Sequence, residues 1–157
     1  MSGFSLVEVL VAMVVLSVGL LGLAGLQATG LKNNNSAYQR SQANILANEI
    51  LDRMRANRAG IEAGAYDDPY DGGTPTDPNC VTSGCSVSQM AQYDVFEWDG
   101  RMNTLLPSAQ ATITGNGANS IFTITIMWDD ERTGATGTSC GGDPEVDLTC
   151  YVLSTRL

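Results

Sequence analysis

The chain has 157 residues, a net charge of −9 and no histidine, so it lacks the commonest general base and the commonest transition-metal ligand. Its length suits one domain of ordinary size. Residues 59–157 carry three basic and fourteen acidic side chains, a surplus that repels phosphate backbones, and we therefore expect no direct contact with nucleic acid.

An uncharged run from Val9 to Leu31 follows a single acidic residue, Glu8. This run is long enough to span a bilayer as a helix and longer than the apolar core of a signal peptide. An ordinary transmembrane anchor accounts for the length but not for Glu8, because an acid within the membrane is costly and usually has a partner. Small residues favour close helix packing, and the run holds four glycines: Gly19, Gly22, Gly25 and Gly30.

The stretch GFSLVEVLVAMVVLSVG resembles the N-terminal signature of type IV pilins and the related pseudopilins. The resemblance implies that a prepilin peptidase cleaves after Gly3 and that Phe4 becomes the N-methylated terminus. It also implies that the apolar helix is retained, first as an anchor and then as the core of a filament. The glutamate of this family corresponds to Glu8. We expect its carboxylate to neutralise a buried N-terminal amine, either its own or that of a neighbouring subunit.

The same resemblance divides the chain into three parts. Residues 1–3 correspond to the prepilin leader, which in this family carries Lys or Arg before the glycine; Met1-Ser2 has neither, so we expect a truncated leader whose natural start lies upstream. Residues 4–31 correspond to the transmembrane and assembly helix. Residues 32–157 correspond to a periplasmic globular domain, which includes an amphipathic helix to about residue 58.

Apolar residues with gaps of three and four through residues 43–54 predict this amphipathic helix. Basic residues near its end suit the negative helix terminus, and Gly60 follows as a predicted C-cap. We interpret Arg53, Arg55 and Arg58 as solvated charges, with contact to an acidic neighbouring subunit as the alternative.

Residues 60–89 are rich in Gly, Pro, Asp, Ser and Thr, and DDPYDGGTPTDPNC predicts a long loop that ends at Cys80. The rest of the chain predicts a helix from Ser88 to the residue before Pro107 and strands within residues 109–115, 120–128 and 149–157. Asn116-Gly117 predicts a hairpin turn between the first two strands. We therefore predict an α+β, pilin-like fold. A long N-terminal helix, half transmembrane and half amphipathic, packs on a small antiparallel sheet stabilised by disulfides.

Four cysteines lie in the C-terminal part: Cys80, Cys85, Cys140 and Cys150. An even number behind a hydrophobic N-terminal segment favours disulfides in an exported domain. Three pairings are possible, and we favour Cys80–Cys85 with Cys140–Cys150 because each closes a short loop. The stretch CVTSGC lacks the spacing of a zinc knuckle, and we expect no metal and no cofactor.

Further stretches, LANEILDRMRANRAG, YDVFEWDGRMNTLLP and FTITIMWDDE, resemble the PilV-type minor pilins. This resemblance implies a minor pilin in a complex that primes pilus assembly, sits at the tip and supports adhesion and twitching motility. Its implied partners are prepilin peptidase, other minor pilins, the major pilin, the inner-membrane assembly machinery and a tip adhesin. The implied location is the inner membrane of a Gram-negative bacterium, followed by the pilus.

Two other functions compete with this hypothesis. A pseudopilin of a type II secretion system has the same N-terminal signature, and the arginine-rich helix end with the two disulfide loops favours the pilus over it. A single-pass anchored binding module is the second competitor, and it predicts that Glu8 is dispensable. We do not expect an enzyme, because the chain has no nucleophile motif and no phosphate-binding glycine loop.

Overall fold

The computed structural model describes residues 3, 5–70, 73–116 and 121–157. The helices are α1 (Leu6–Ala56), α2 (Arg58–Glu62), α3 (Cys80–Ser83) and α4 (Val87–Leu105), and the strands are β1 (Gln110–Asn116), β2 (Ile121–Trp128) and β3 (Thr149–Arg156). Two compact units make up the chain, Met1–Ala37 and Tyr38–Leu157. The predicted α+β fold is confirmed, with a long N-terminal helix, a three-stranded antiparallel sheet and two disulfides.

The second half of α1 carries the predicted apolar stripe. Its buried apolar residues lie at helical spacing in the core of the second unit: Ala43, Leu46, Ala47, Ile50, Leu51 and Met54. A helix with one apolar stripe gains stability by packing that stripe against other elements. The predicted amphipathic helix therefore forms part of the hydrophobic core of this unit.

The end of α1 differs from the prediction. The helix stops at Ala56, and Asn57 leaves helical geometry to cap α2, its side-chain oxygen accepting the N–H of Gly60 at 3.2 Å. The prediction that Gly60 caps α1 is wrong, because Gly60 is buried inside α2. A β-carbon at Gly60 would lie 2.5 Å from the side-chain nitrogen Nδ2 of Asn57, so any larger residue would clash with the capping side chain.

A capping box starts α4, one residue before the predicted position. The Gln89 N–H donates to Ser86 Oγ at 3.3 Å, and the Ser86 N–H donates to Gln89 Oε1 at 3.0 Å. The helix ends before Pro107, as predicted. Its buried Trp98 donates the indole N–H to the carbonyl oxygen of Leu46 at 2.8 Å, which ties α4 directly to α1.

The sheet has the order β1-β2-β3, and both pairs are antiparallel. The inner face of β2 is buried in the same core as α1 and α4, through Phe122, Ile124, Ile126 and Trp128. The predicted alternation of this strand is thus confirmed. Opposite Phe122, a β-carbon on Gly115 would lie 2.2 Å from the ring, so only glycine fits there. The predicted Asn116-Gly117 turn lies partly outside the described residues.

A cluster of charged groups holds α1 and α4 together beside the core. Glu49 of α1 accepts from Arg53 at 3.1 Å and from Arg101 of α4 at 2.9 Å. Arg53 also lies 3.5 Å from Asp94 of α4. The interpretation of Arg53 as a solvated charge is therefore wrong, because its guanidinium joins two helices in a partly buried position.

Tyr66 completes this cluster from the segment that follows α2. Its hydroxyl donates to Asp94 at 2.5 Å and accepts from the side chain of Asn57 at 3.2 Å. Burial of the fully enclosed phenol, and then its hydrogen bond to Asp94, raise the pKa of Tyr66 well above the usual 10. Burial beside Asp99 raises the pKa of Tyr70 in the same direction.

We predict that Asp94→Ala lowers the free energy of unfolding by about 1–3 kcal/mol, because it leaves the buried Tyr66 hydroxyl without its acceptor and removes one of the two carboxylates that Arg53 contacts. Urea unfolding of the full chain in detergent, followed by fluorescence of the buried Trp98 and Trp128, measures the change. Asp52→Ala is the control, since it breaks an exposed pair with Arg55 that contributes less than about 1 kcal/mol. Equal losses in the two variants would contradict the role given to Asp94.

A pH prediction follows from the raised pKa of Tyr66. Because the folded pKa exceeds the unfolded value of about 10, the stabilisation is complete below pH 10 and is lost as pH rises through the folded value. Tyrosinate absorbance should therefore rise at higher pH in the folded protein than in the protein unfolded in urea. Tyr66→Phe should reduce the difference between the two titrations, and identical curves for folded and unfolded protein would refute the prediction.

Candidate functional site

The N-terminal unit carries the residues that the sequence singles out for processing and assembly. Gly3 is exposed, and α1 begins three residues later. Phe4, the predicted methylated terminus, lies outside the described residues. The N-terminal part of α1 is long and apolar enough to cross a membrane, as judged by length and composition.

Glu8 lies in the first turn of α1 and is exposed. Its carboxylate turns back toward the start of the chain, where Oε2 accepts the backbone N–H of Ser5 at 3.1 Å. The Glu8 N–H in turn donates to the Ser5 carbonyl at 3.0 Å. An acid here satisfies a free donor of the first turn and interacts favourably with the positive end of the helix dipole. The spacing Ser5-x-x-Glu8 is the sequence signature of such a helix start.

The surface around the rest of this segment is apolar on every side. Its large apolar side chains between Leu6 and Leu31 are 47 to 77% exposed in the single chain. A helix that is apolar all round requires a nonpolar environment, either lipid or the neighbouring helices of an assembly. The segment thus has a surface that the chain itself leaves uncovered.

The two hydroxyl side chains of this segment, Ser17 and Thr29, are satisfied within the helix. Ser17 Oγ donates to the Met13 carbonyl at 2.7 Å, and Thr29 Oγ1 donates to the Gly25 carbonyl at 3.1 Å. Hydroxyls bonded in this way to the preceding turn leave no free donor in a nonpolar medium. Glu8 is therefore the ionisable residue of this surface that can pair with an external charge.

Four glycines leave open space on this surface. A β-carbon at Gly19, Gly22, Gly25 or Gly30 would meet no atom within 4 Å. Nothing inside the described segment requires these positions to be small. Glycines on a nonpolar helix let another helix approach its backbone closely.

Both disulfides of the second unit are short-range. Cys80–Cys85 encloses α3, and Cys140–Cys150 ties the loop before β3 to that strand, with Cα–Cα distances of 5.0 and 5.4 Å. The four cysteines thus form two clamps on polar loops rather than one shared site.

The adjacent carboxylates Asp129 and Asp130 hold the loop that follows β2. Asp129 is buried and accepts the N–H groups of Thr133 at 3.0 Å and Gly134 at 2.8 Å. Asp130 accepts the indole N–H of Trp128 at 3.0 Å. These bonds give the pair a structural role in shaping the loop.

The comparisons with known proteins agree with this geometry. The prokaryotic N-terminal methylation motif matches residues 1–24, and the family described as type IV pilin Tt1218 matches residues 25–96, just under half of the chain. Together they support a type IV pilin. Neither the curated proteins nor the solved structures gave a match.

The methylation motif and the apolar helix fit a membrane-anchored pilin that is assembled into pili. The motif implies processing by prepilin peptidase and assembly with other pilins. The pilin family is structural rather than enzymatic. In the described residues, Gly3 and Glu8, which the sequence predicts to serve processing and assembly, lie together at the chain start, whereas the cysteines lie in the separate C-terminal unit.

We predict that the four cysteines are oxidised in the exported protein, in the two short-range pairs. Non-reducing peptide mapping should recover Cys80 linked to Cys85 and Cys140 linked to Cys150. By chain entropy, the double variant Cys140→Ser/Cys150→Ser should lose about 3 kcal/mol of unfolding free energy, and Cys80→Ser/Cys85→Ser about 2 kcal/mol. Four thiols that react with an alkylating agent before reduction would contradict the prediction.

Proposed function

We propose that this pilin is a minor pilin of a type IV pilus, of the PilV type. It belongs to a minor-pilin complex that primes pilus assembly and sits at the tip, where it supports adhesion and twitching motility. The observation that carries the proposal is a single acid at the start of a helix that is apolar on every side. A permanent anchor gains only a helix cap from that acid, whereas a subunit that leaves the membrane for a filament can also use its charge to pair with an amine.

The first step in this proposal is cleavage after Gly3. It creates an amine on Phe4, which is then methylated, and residues 4–31 remain as the membrane and assembly helix. The carboxylate of Glu8 already bonds the amide of Ser5, one residue along the chain from the new terminus. A charged amine and a carboxylate that enter a nonpolar core as a pair cost far less than either alone.

The second step is packing of the apolar helix among the helices of other subunits. The open positions at Gly19, Gly22 and Gly25 support close approach. Repeated head-to-tail contacts of this kind give an open helical assembly. The partners in this step are other minor pilins, the major pilin and the inner-membrane assembly machinery, with a tip adhesin docked on the finished complex.

The remaining residues, 32–157, form a periplasmic domain of a Gram-negative inner-membrane subunit in this proposal. The resemblance of several stretches to PilV-type minor pilins supports a pilus over a type II secretion pseudopilus. The arginines near the end of α1 and the start of α2 do not distinguish a pilus from a secretion pseudopilus. Arg55 pairs with Asp52 at 2.8 Å and Arg58 with Glu62 at 3.3 Å, so both charges already have partners within the chain.

The primary test is N-terminal mass spectrometry of the protein from sheared surface filaments, expressed from its native locus. We expect an N-methylated Phe4 terminus in the filament fraction. An unprocessed protein confined to the membrane fraction would refute the proposal. If a strain that lacks this protein makes normal pili but is defective in protein secretion, the protein is a secretion pseudopilin instead.

Two substitutions of Glu8 separate charge pairing from helix capping. Glu8→Ala should leave membrane insertion intact and reduce the amount in sheared filaments by tenfold or more, since about 1.4 kcal/mol already gives a factor of ten. Glu8→Gln keeps an oxygen that can accept the Ser5 N–H but has no charge. Pairing predicts that Glu8→Gln fails like Glu8→Ala, whereas normal incorporation of Glu8→Gln would mean that capping is its main role.

A further inference from the structure

The outer edge of β3 is a margin of the sheet that the described residues leave uncovered along most of its length. β3 pairs with β2 along its whole length, from Thr149↔Trp128 to Arg156↔Ile121, and the register has no bulge. The sheet order leaves β3 at one margin and β1 at the other. A straight edge strand presents a row of N–H and C=O groups to any chain that can pair with it.

The contacts of Leu148 show which groups of β3 face outward. β3 begins its pairing with β2 at Thr149. The N–H of Leu148, one residue earlier, donates instead to the Gly137 carbonyl at 2.8 Å, on the side away from β2. Main-chain groups of successive residues in a strand face opposite sides. The outward side of Leu148 is therefore shared by Val152 and Ser154, and Tyr151 and Leu153 bond to β2.

Only the entrance to this edge is covered. Gly137 forms a single parallel bridge with Asp147, just before β3 begins, and no further backbone bond reaches the outer side of β3 from the described residues. The other margin is different, since the N–H of Asp68 donates to the Ile113 carbonyl in the middle of β1, at 3.1 Å.

The usual protections of an edge strand are missing from β3. Its sequence, TCYVLSTR, has no proline and no lysine, and its one charge is at the end. Tyr151, Leu153 and Leu157 are only partly buried against the core, so an added strand with apolar side chains at alternate positions would cover them further. The bridge between Gly137 and Asp147 already pairs with the chain just before β3, so an added strand would begin beyond it.

Charge limits the identity of the occupant. The second unit, Tyr38–Leu157, carries a net charge of −9, from seven basic and sixteen acidic side chains. A second copy would bring two such bodies together, and their repulsion disfavours self-pairing. The occupant that fits is an extended segment of a different protein, without a surplus of acidic residues.

We propose that the outer edge of β3 binds an extended segment of another pilus subunit as an added strand, through the main-chain groups of Val152 and Ser154. This inference rests on the proposed function for the setting in which the partner is met. Main-chain bonds supply the affinity in this mode of recognition, and side chains at alternate positions supply the specificity.

Hydrogen exchange resolved to single residues tests the proposal in the full chain. The amides of Val152 and Ser154 should exchange at least about tenfold more slowly in intact sheared filaments than in the purified protein in detergent micelles. The amides of Tyr151 and Leu153 are an internal control, because their bonds to β2 should protect them in both samples. Fast exchange of Val152 and Ser154 in filaments overturns the edge proposal and leaves the pilin function standing.

Two further outcomes of this experiment are decisive. Absence of the protein from the filaments overturns the edge proposal together with the proposed function, because the partner is a filament subunit. Protection in micelles that rises with protein concentration identifies a second copy as the occupant and overturns the proposed partner.

A matched pair of variants gives an independent test. Val152→Pro removes an outward N–H and adds a ring at the edge, a change that an edge strand tolerates, whereas Val152→Ala keeps the N–H. We expect Val152→Pro to lower incorporation into filaments by about tenfold and Val152→Ala to leave it within about twofold, as one to two lost main-chain bonds imply. Equal incorporation of the two variants overturns the proposal; if circular dichroism shows that Val152→Pro is unfolded, the exchange experiment decides alone.

Discussion

The exposed apolar surface of the N-terminal half of α1 is the constraint on which the rest of this protein depends. Water cannot cover side chains such as Leu21 and Leu26, which are more than 70% exposed, without a large cost in free energy. Lipid or other helices must cover them. The internal bonds of Ser17 and Thr29 fit the same constraint, because they leave no hydroxyl donor free in a nonpolar medium.

The second unit meets the opposite requirement, since it must remain folded in water with a strongly acidic composition. Apolar packing of α1, α4 and the inner face of β2 supplies the core. Acidic groups close to this core do not simply repel one another, because Arg53 lies between the carboxylates of Glu49 and Asp94, and Arg101 also pairs with Glu49. Positive charge is scarce in this chain, and this cluster places it where it joins two helices.

Local rules predicted most of the fold from the sequence. The stripe of α1, the stop before Pro107 and the alternation in β2 all follow from spacing or from a missing N–H, and each is confirmed. Long-range contacts could not be predicted in this way. The failure of Gly60 as a C-cap depends on the side chain of Asn57, and the position of Arg53 depends on Asp94, which is distant in sequence. The cap formed by Glu8 has a local signature in the Ser5-x-x-Glu8 spacing, but an acid next to a transmembrane run is equally expected from the pilin resemblance, so the spacing alone does not distinguish a cap from an assembly charge.

The bond between Glu8 and the Ser5 amide has a consequence for reversibility. In the lone subunit the carboxylate has a backbone donor, and in the proposed filament it has an amine. Moving between these states exchanges one partner of the acid for another, so the carboxylate is hydrogen-bonded in both. The acid therefore keeps a partner whether the subunit enters the filament or leaves it. The same residue would then suit a filament that returns its subunits to the membrane as readily as it recruits them.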